Sequence, residues 1–177
     1  MQEGAIEIPE ALRQMAELYT DARVEANRNY YSIHHYRGRR GKRNTVLFPE
    51  EVDAEWLTEY KGILAELIVR NWYDLHGENY KASALVKKMG DSTADIETDN
   101  LIVEVKGCER KMRFNRFALE KSNADTVVFV VFTSSNTAQV KQYPVQDVYS
   151  WTLVAASEKN QWYEKKPTYE SNQSTTA

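Results

Sequence analysis

Apolar residues recur along the chain in two periods, and the switches between them outline an α/β protein. After Pro9, a residue suited to the first turn of a helix, Leu12, Met15, Leu18, Tyr19 and Ala22 follow at three- and four-residue steps, which predicts an amphipathic helix over 9–31. A second helix is predicted from Asp53 to His76. Its stripe is Leu57, Tyr60, Leu64, Leu67, Ile68, Trp72 and Leu75, and Gly77 supplies a stop. The small residues Gly62 and Ala65 on that helix would permit a close approach to a sheet. Beyond it the period shortens. A strand is expected near Tyr80 to Val86, then a hairpin turning at Asp99-Asn100 into the apolar, β-branched run Leu101 to Val105. Phe114 to Ser122 reads as a helix. Thr126 to Thr133 is nearly unbroken Val and Phe, the mark of a central strand covered on both faces. Shorter strands are expected at Val140 to Val145 and Trp151 to Val154, with a helical turn at Gln146 to Tyr149 between them.

The polar residues of the hairpin carry the candidate chemistry. Residues two apart on a strand share a face, so Glu104 and Lys106 point one way, while Leu101, Val103 and Val105 point into the core. Asp95, on the preceding strand, can come opposite them. Partly desolvated charges need a partner or a metal. A hard divalent cation, Mg²⁺ or Mn²⁺, fits two carboxylates, Asp95 and Glu104, helped by the Val105 carbonyl, with the remaining positions filled by water and phosphate oxygens. The Lys106 ammonium adds a group that can orient or deprotonate an attacking water and offset charge growing on a phosphorane. The bland alternative is a surface strand with a Glu/Lys pair and an unrelated Asp in a turn.

These residues resemble the PD-(D/E)xK nuclease superfamily, the fold of many restriction enzymes, phage exonucleases and junction resolvases. Asp95 matches the metal-binding Asp, and Glu104-Val105-Lys106 matches (D/E)-x-K; Ala94 stands where the motif's Pro would be. The resemblance spans roughly 56–148. It implies a restriction-endonuclease-like fold, a mixed central β-sheet flanked by helices. It also implies that Glu66, within Gly62-Ile63-Leu64-Ala65-Glu66, is the acidic residue on the helix before the first core strand, joining the metal set and the catalytic set of Asp95, Glu104 and Lys106.

Net charge is −3, but its distribution matters more than its total. From 26 to 49 there is no Asp or Glu and there are six cations, Arg28, Arg37, Arg39, Arg40, Lys42 and Arg43. The remaining 17 cations face 26 acids, so the rest of the chain carries −9. A glycine-bearing basic loop over 34–45, with Tyr30, Tyr31, His34, His35 and Tyr36 beside it, suits contact with a phosphate backbone and stacking on bases. Against this stand a loop that only aids solubility and a nuclear-import signal. Arg110, Lys111, Arg113 and Arg116 form a second basic group beside Lys106.

The remaining features narrow the class. The expectation is one domain over 1–160, with its core at 53–155, and a loose polar tail over 161–177. No apolar run reaches membrane-spanning length, and the first residues lack the basic head and apolar run of a secretory leader. The single Cys108 reads as structural and fits a reducing compartment, so the expected location is the cytoplasm, or a host cell's cytoplasm if the chain is phage-encoded. His34, His35 and His76 lack zinc spacing with Cys108, and no phosphate-cradling glycine loop is present. The expected function is a Mg²⁺- or Mn²⁺-dependent nuclease cutting phosphodiester bonds in DNA, with no membrane partner and with a homodimer compatible with the chain. The alternatives are a non-catalytic nucleic-acid-binding module on the same fold and, further off, a small interaction protein.

Overall fold

The computed structural model describes residues 4–34, 41–86, 94–158 and 160–167. In chain order the elements are β1 (Gly4–Glu7), α1 (Glu10–His34), β2 (Lys42–Arg43), β3 (Val52–Asp53), α2 (Ala54–Leu75), β4 (Lys81–Ala82), β5 (Ile96–Glu97) and β6 (Ile102–Cys108). Then follow β7 (Met112–Asn115), α3 (Arg116–Lys121), β8 (Thr126–Phe132), β9 (Thr137–Pro144), α4 (Val145–Val148), β10 (Thr152–Ser157) and β11 (Asn160–Lys165). Six strands form one mixed sheet in the order β1-β9-β8-β6-β5-β4, and β10-β11-β7 form a smaller antiparallel sheet. Within the large sheet, β6 and β8 run parallel and the other neighbours antiparallel.

Local chemistry sets the helix ends. The Asp53 carboxylate caps α2 by accepting from the Glu55 and Trp56 N–H groups at 2.9 and 3.0 Å, satisfying donors that the first turn leaves open. Past the other end, Gly77 takes φ 64°, the left-handed conformation in which a helix commonly terminates.

Every residue of β8 is buried, so the sheet carries two cores. On one face Val103, Val105, Val128, Val130 and Phe132 pack with Ala16 of α1 and Ile63, Leu64, Leu67 and Ile68 of α2. On the other, Val127, Phe129 and Val131 pack with Met112, Phe114, Leu119, Val145, Val148 and Trp151. The sheet is thus the middle layer of three, with both faces removed from water.

Several expectations from the pattern are corrected. Phe114 lies in β7, paired with Tyr163, and the helix begins only after Asn115, whose side chain caps it at the Ala118 N–H. The segment 161–165, read as the start of a loose tail, belongs to a strand pairing with β10 and β7, where Tyr163 packs against the core and Glu164 meets cations. The strand expected from Tyr80 to Val86 shortens to Lys81–Ala82. Leu101 is exposed in the turn instead of facing the core. Residues 168–177 lie outside the described residues.

Helix α2 comes very close to the sheet at Gly107, on β6. A Cβ there would stand 2.2 Å from the Lys61 carbonyl oxygen and 2.7 Å from its carbon, whereas one at Gly62 would meet only Arg23, at 3.9 Å. The small residue that the approach requires is therefore on the strand and not, as the helix pattern suggested, at Gly62. Backbone cannot give way as a side chain tip can, so Gly107→Ala is expected to destabilise the fold by about 3 kcal/mol or more. Urea unfolding checks this, and a midpoint within error of the wild type would show that α2 can lift off β6 at little cost.

Candidate functional site

The site grows out of the edge of β6 where β5 leaves it. Ile102 uses its N–H and its C=O on Asp125, toward β8. By alternation the backbone groups of Val103 and Val105 face β5. Ile96 pairs with Val103, the last ladder position before the two strands part, and this register sets Asp95 opposite Glu104. At Val105 the ladder is continued by a side chain: the Asp95 Oδ2 accepts from the Val105 N–H at 2.8 Å. Asp95 is buried, 5 % exposed. Since the N–H and C=O of a strand residue point to the same edge, the Val105 carbonyl faces this carboxylate as well.

Glu104 and Lys106 share the opposite side of the strand from Val103 and Val105. Lys106 Nζ donates to Glu104 Oε1 at 2.6 Å and lies 4.8 Å from the centre of the Phe114 ring. Both side chains are only partly exposed, so the ammonium is steered from two directions, by a carboxylate and by the negative face of an aromatic ring. Phe114 was not legible as a site residue, because its segment reads as a helix.

Glu66 lies on α2, ahead of β5 and β6 in the chain. Its buried carboxylate lies 3.1 Å from Arg70 Nη2 and 3.7 Å from Arg23 Nη2. Arg70 also donates to the Ser83 carbonyl at 2.7 Å, and the Ser83 N–H donates to the Asp95 carbonyl at 3.1 Å. Glu66 therefore reaches the site through a chain of contacts. Among the described residues no group of three or more His, Cys, Asp or Glu side chains is arranged to hold a metal ion. Two guanidinium groups meet the Glu66 charge. Arg70, one turn beyond Glu66, was recoverable from its four-residue spacing, whereas Arg23, 43 positions before Glu66, was not.

The second basic group is also largely committed. Lys111 and Arg113 both bind Glu164 on β11, Arg113 lies over the Trp162 ring at 5.1 Å, and Arg116 binds Glu120 and Gln161. These cations join β7 and α3 to β11, and Arg110 is exposed. In the first basic group, Lys42 and Arg43 are exposed on β2, paired with β3, and Arg28 lies 3.7 Å from Glu55. Arg37, Arg39 and Arg40 lie outside the described residues, as do His35 and the side chain of His34. His76 stacks on Trp72 at 4.0 Å. Burial pushes the Cys108 thiol up to about 12, which keeps it protonated and poorly nucleophilic at neutral pH, in keeping with a structural role.

No protein-family model matches the chain, and neither a curated protein nor a solved structure does. No helix among the described residues is long and apolar enough to cross a membrane.

Two outcomes follow from these ion pairs. Removing the Glu66 charge takes a carboxylate from two guanidinium groups that are mostly shielded from water, Arg23 keeping only Glu59, so Glu66→Gln is expected to cost about 3 kcal/mol or more in unfolding free energy while leaving the midpoint of any Mg²⁺ titration in place. A stable variant with a displaced titration would place Glu66 in the metal set. Glu164 is held down at about 2 from the ordinary 4.5, first by its hydrogen bond from Lys111 and further by Trp162 and Arg113. A depressed acid contributes stability that is complete above its unfolded value and fades as pH falls toward the folded one. Thermal unfolding of the wild type and Glu164→Gln should therefore differ at neutral pH and converge between about pH 4.5 and 2. A gap that stays constant over that window would assign the effect to shape instead of charge.

Proposed function

We propose that this chain is a Mg²⁺- or Mn²⁺-dependent nuclease that hydrolyses phosphodiester bonds in DNA, on a restriction-endonuclease-like sheet. The observation that carries the reading is the meeting at one strand edge of the Asp95 carboxylate, the Val105 backbone and the Glu104–Lys106 pair. The element order also supports it: a helix, an antiparallel β4-β5-β6 unit, a short helix and a strand parallel to β6 are the layout that the sequence resemblance implies.

The donor set fits the cation. Asp95, Glu104 and the Val105 carbonyl are hard oxygen donors, and Mg²⁺ is commonly bound by one or two carboxylates with water and phosphate making up the rest. When bound, the cation supplies Lewis-acid polarisation of the scissile phosphate and charge neutralisation. Asp95 is held for this by the Val105 N–H on one side and by Ser83 on its own backbone. Lys106 positions the attacking water and faces the charge that develops on the phosphoryl oxygens. Glu104 fixes where the ammonium stands, and the Phe114 ring limits its swing. The proton gained by the leaving 3′ oxygen comes from solvent. Lys42 and Arg43, exposed on β2, are available to the phosphate backbone.

A second reading rests on the same 2.6 Å contact: Glu104 and Lys106 neutralise each other, which suits a nucleic-acid-binding module that cuts nothing. Purified protein incubated with plasmid and single-stranded DNA, with Mg²⁺ and with chelator, separates the two. Cleavage is expected only with Mg²⁺. Lys106→Ala and Asp95→Asn should each lower the rate by about a hundredfold or more. Asn retains an oxygen for the Val105 N–H, so that variant tests charge and not architecture. A mobility shift without cleavage selects the module, and undiminished cutting by Lys106→Ala removes the lysine from the chemistry.

A further inference from the structure

The outward face of α1 carries an apolar stripe that nothing in the described structure covers. Ala11, Met15, Leu18 and Ala22 are all exposed and are spaced by four, three and four residues, which keeps them on one line of an α-helix. Leu18 is 73 % exposed and Met15 40 %, and Tyr19 borders the stripe at 38 %. The line runs about 16 Å along the helix at 1.5 Å per residue. It is distinct from the face that α1 buries, which carries Ala16, Thr20, Arg23, Val24 and Asn27.

One margin of the stripe is acidic. Glu10, Glu17, Asp21 and Glu25, all exposed, fall on the same side of the Ala11–Ala22 line, with Gln14 among them. Arg28 closes this rail at its C-terminal end and is turned toward Glu55 at 3.7 Å. The opposite margin, Leu12, Tyr19 and Ala26, has no charge, and α2 adjoins the acidic side, where Trp56 Nε1 donates to Asp21 and Arg28 faces Glu55.

This asymmetry selects the occupant. An antiparallel pairing of two copies through the stripe would set one acidic rail against the other. A parallel pairing would set it against Leu12, Tyr19 and Ala26, where it meets no cation. An anionic membrane surface or a nucleic acid would be repelled by the rail. What satisfies both stripe and rail is an amphipathic helix with an apolar line of matching period and Lys or Arg along one flank, seated in the helix-on-helix geometry that buries such lines in pairs. We propose that α1 is a docking surface for a basic amphipathic helix of a partner protein. The proposal is independent of the nuclease reading, since the stripe shares no residue with Asp95, Glu104 or Lys106.

The probe is a synthetic, fluorescently labelled peptide of about 18 residues, long enough to form helix on docking, with leucines at the stripe spacing and lysines along one flank. Fluorescence anisotropy with the full chain should give saturable binding that weakens with added salt. Leu18→Asp and, separately, Glu17→Lys with Glu25→Lys should each weaken it about tenfold or more. Leu75→Asp, at a residue 76 % exposed at the far end of α2, serves as the control and should leave it unchanged. Asp21 is left intact because it accepts a 2.7 Å hydrogen bond from Trp56 Nε1. Circular dichroism should be the same for all variants, since every substituted side chain is exposed.

Absence of saturable binding overturns the proposal, and so does equal binding of a peptide with glutamate in place of lysine, or equal loss in the Leu75→Asp control. Concentration-dependent self-association that Leu18→Asp abolishes would overturn it in favour of a second copy of the chain. Flotation of the protein with anionic vesicles, lost in Leu18→Asp, would overturn it in favour of a membrane surface.

Discussion

The contact of the Lys61 backbone with Gly107 fixes how closely α2 lies on β6, and the rest of the structure is arranged around that strand. One face of β6 gives Val103 and Val105 to the core beneath α2, and the other gives Glu104 and Lys106 to the candidate site. The alternation of a strand makes the two assignments inseparable: a shift of register by one residue would set the charged pair beneath α2 and turn the valines to the other face. The energetic demand for apolar burial under α2 therefore orients the chemistry on the other face. Glycine at 107 allows this close packing immediately beside Lys106, and the Lys61–Glu109 ion pair at 3.2 Å ties the same helix to the chain just past the end of the strand.

A second constraint acts at the opposite edge. Where β5 parts from β6, the Val105 N–H would otherwise be left without a ladder partner, and a buried amide in that state costs on the order of 1 to 3 kcal/mol. Asp95 meets that demand with its carboxylate, and its own carbonyl is held by the Ser83 N–H. Ser83 is in turn gripped by Arg70, which Glu66 and the α1–α2 packing hold in place. Glu66 acts here at a distance, through a guanidinium and a backbone, and Arg23 draws α1 into the same network by binding both Glu59 and Glu66. Charges that would be expensive singly are held in a connected set.

The sequence made the long-period and local features legible and left the partnerships hidden. Most of the α2 stripe, its stop, the unbroken β8 and the alternation of β6 are properties of contiguous residues, so they could be read from spacing alone, although Leu75, read into that stripe, is 76 % exposed at the helix end. The placement of Asp95 opposite Glu104 followed from the turn between them. What spacing could not convey was which distant charge meets which: Arg23 with Glu66, or Lys111 and Arg113 with Glu164. A cation reads the same in sequence whether it is committed to a carboxylate or available to phosphate. Polar composition likewise disguised 161–165 as tail, although Glu164 there meets Lys111 and Arg113, about fifty residues earlier.

That disguised strand bears on the chemistry. Lys106 rests against the Phe114 ring, and Phe114 is held in β7 by pairing with Tyr163 on β11. The Glu164 clamp to Lys111 and Arg113 fastens the same two strands one residue further on. The ammonium is thus supported from a part of the chain far from the Asp95–Lys106 motif, through one aromatic ring and one strand pair. Loss of β11 would leave Glu104, Lys106 and Asp95 covalently intact and still on their own sheet, yet would free the ring that limits where the lysine can point. In this arrangement the motif supplies the functional groups, and the small sheet contributed by the C-terminal segment supplies part of their geometry.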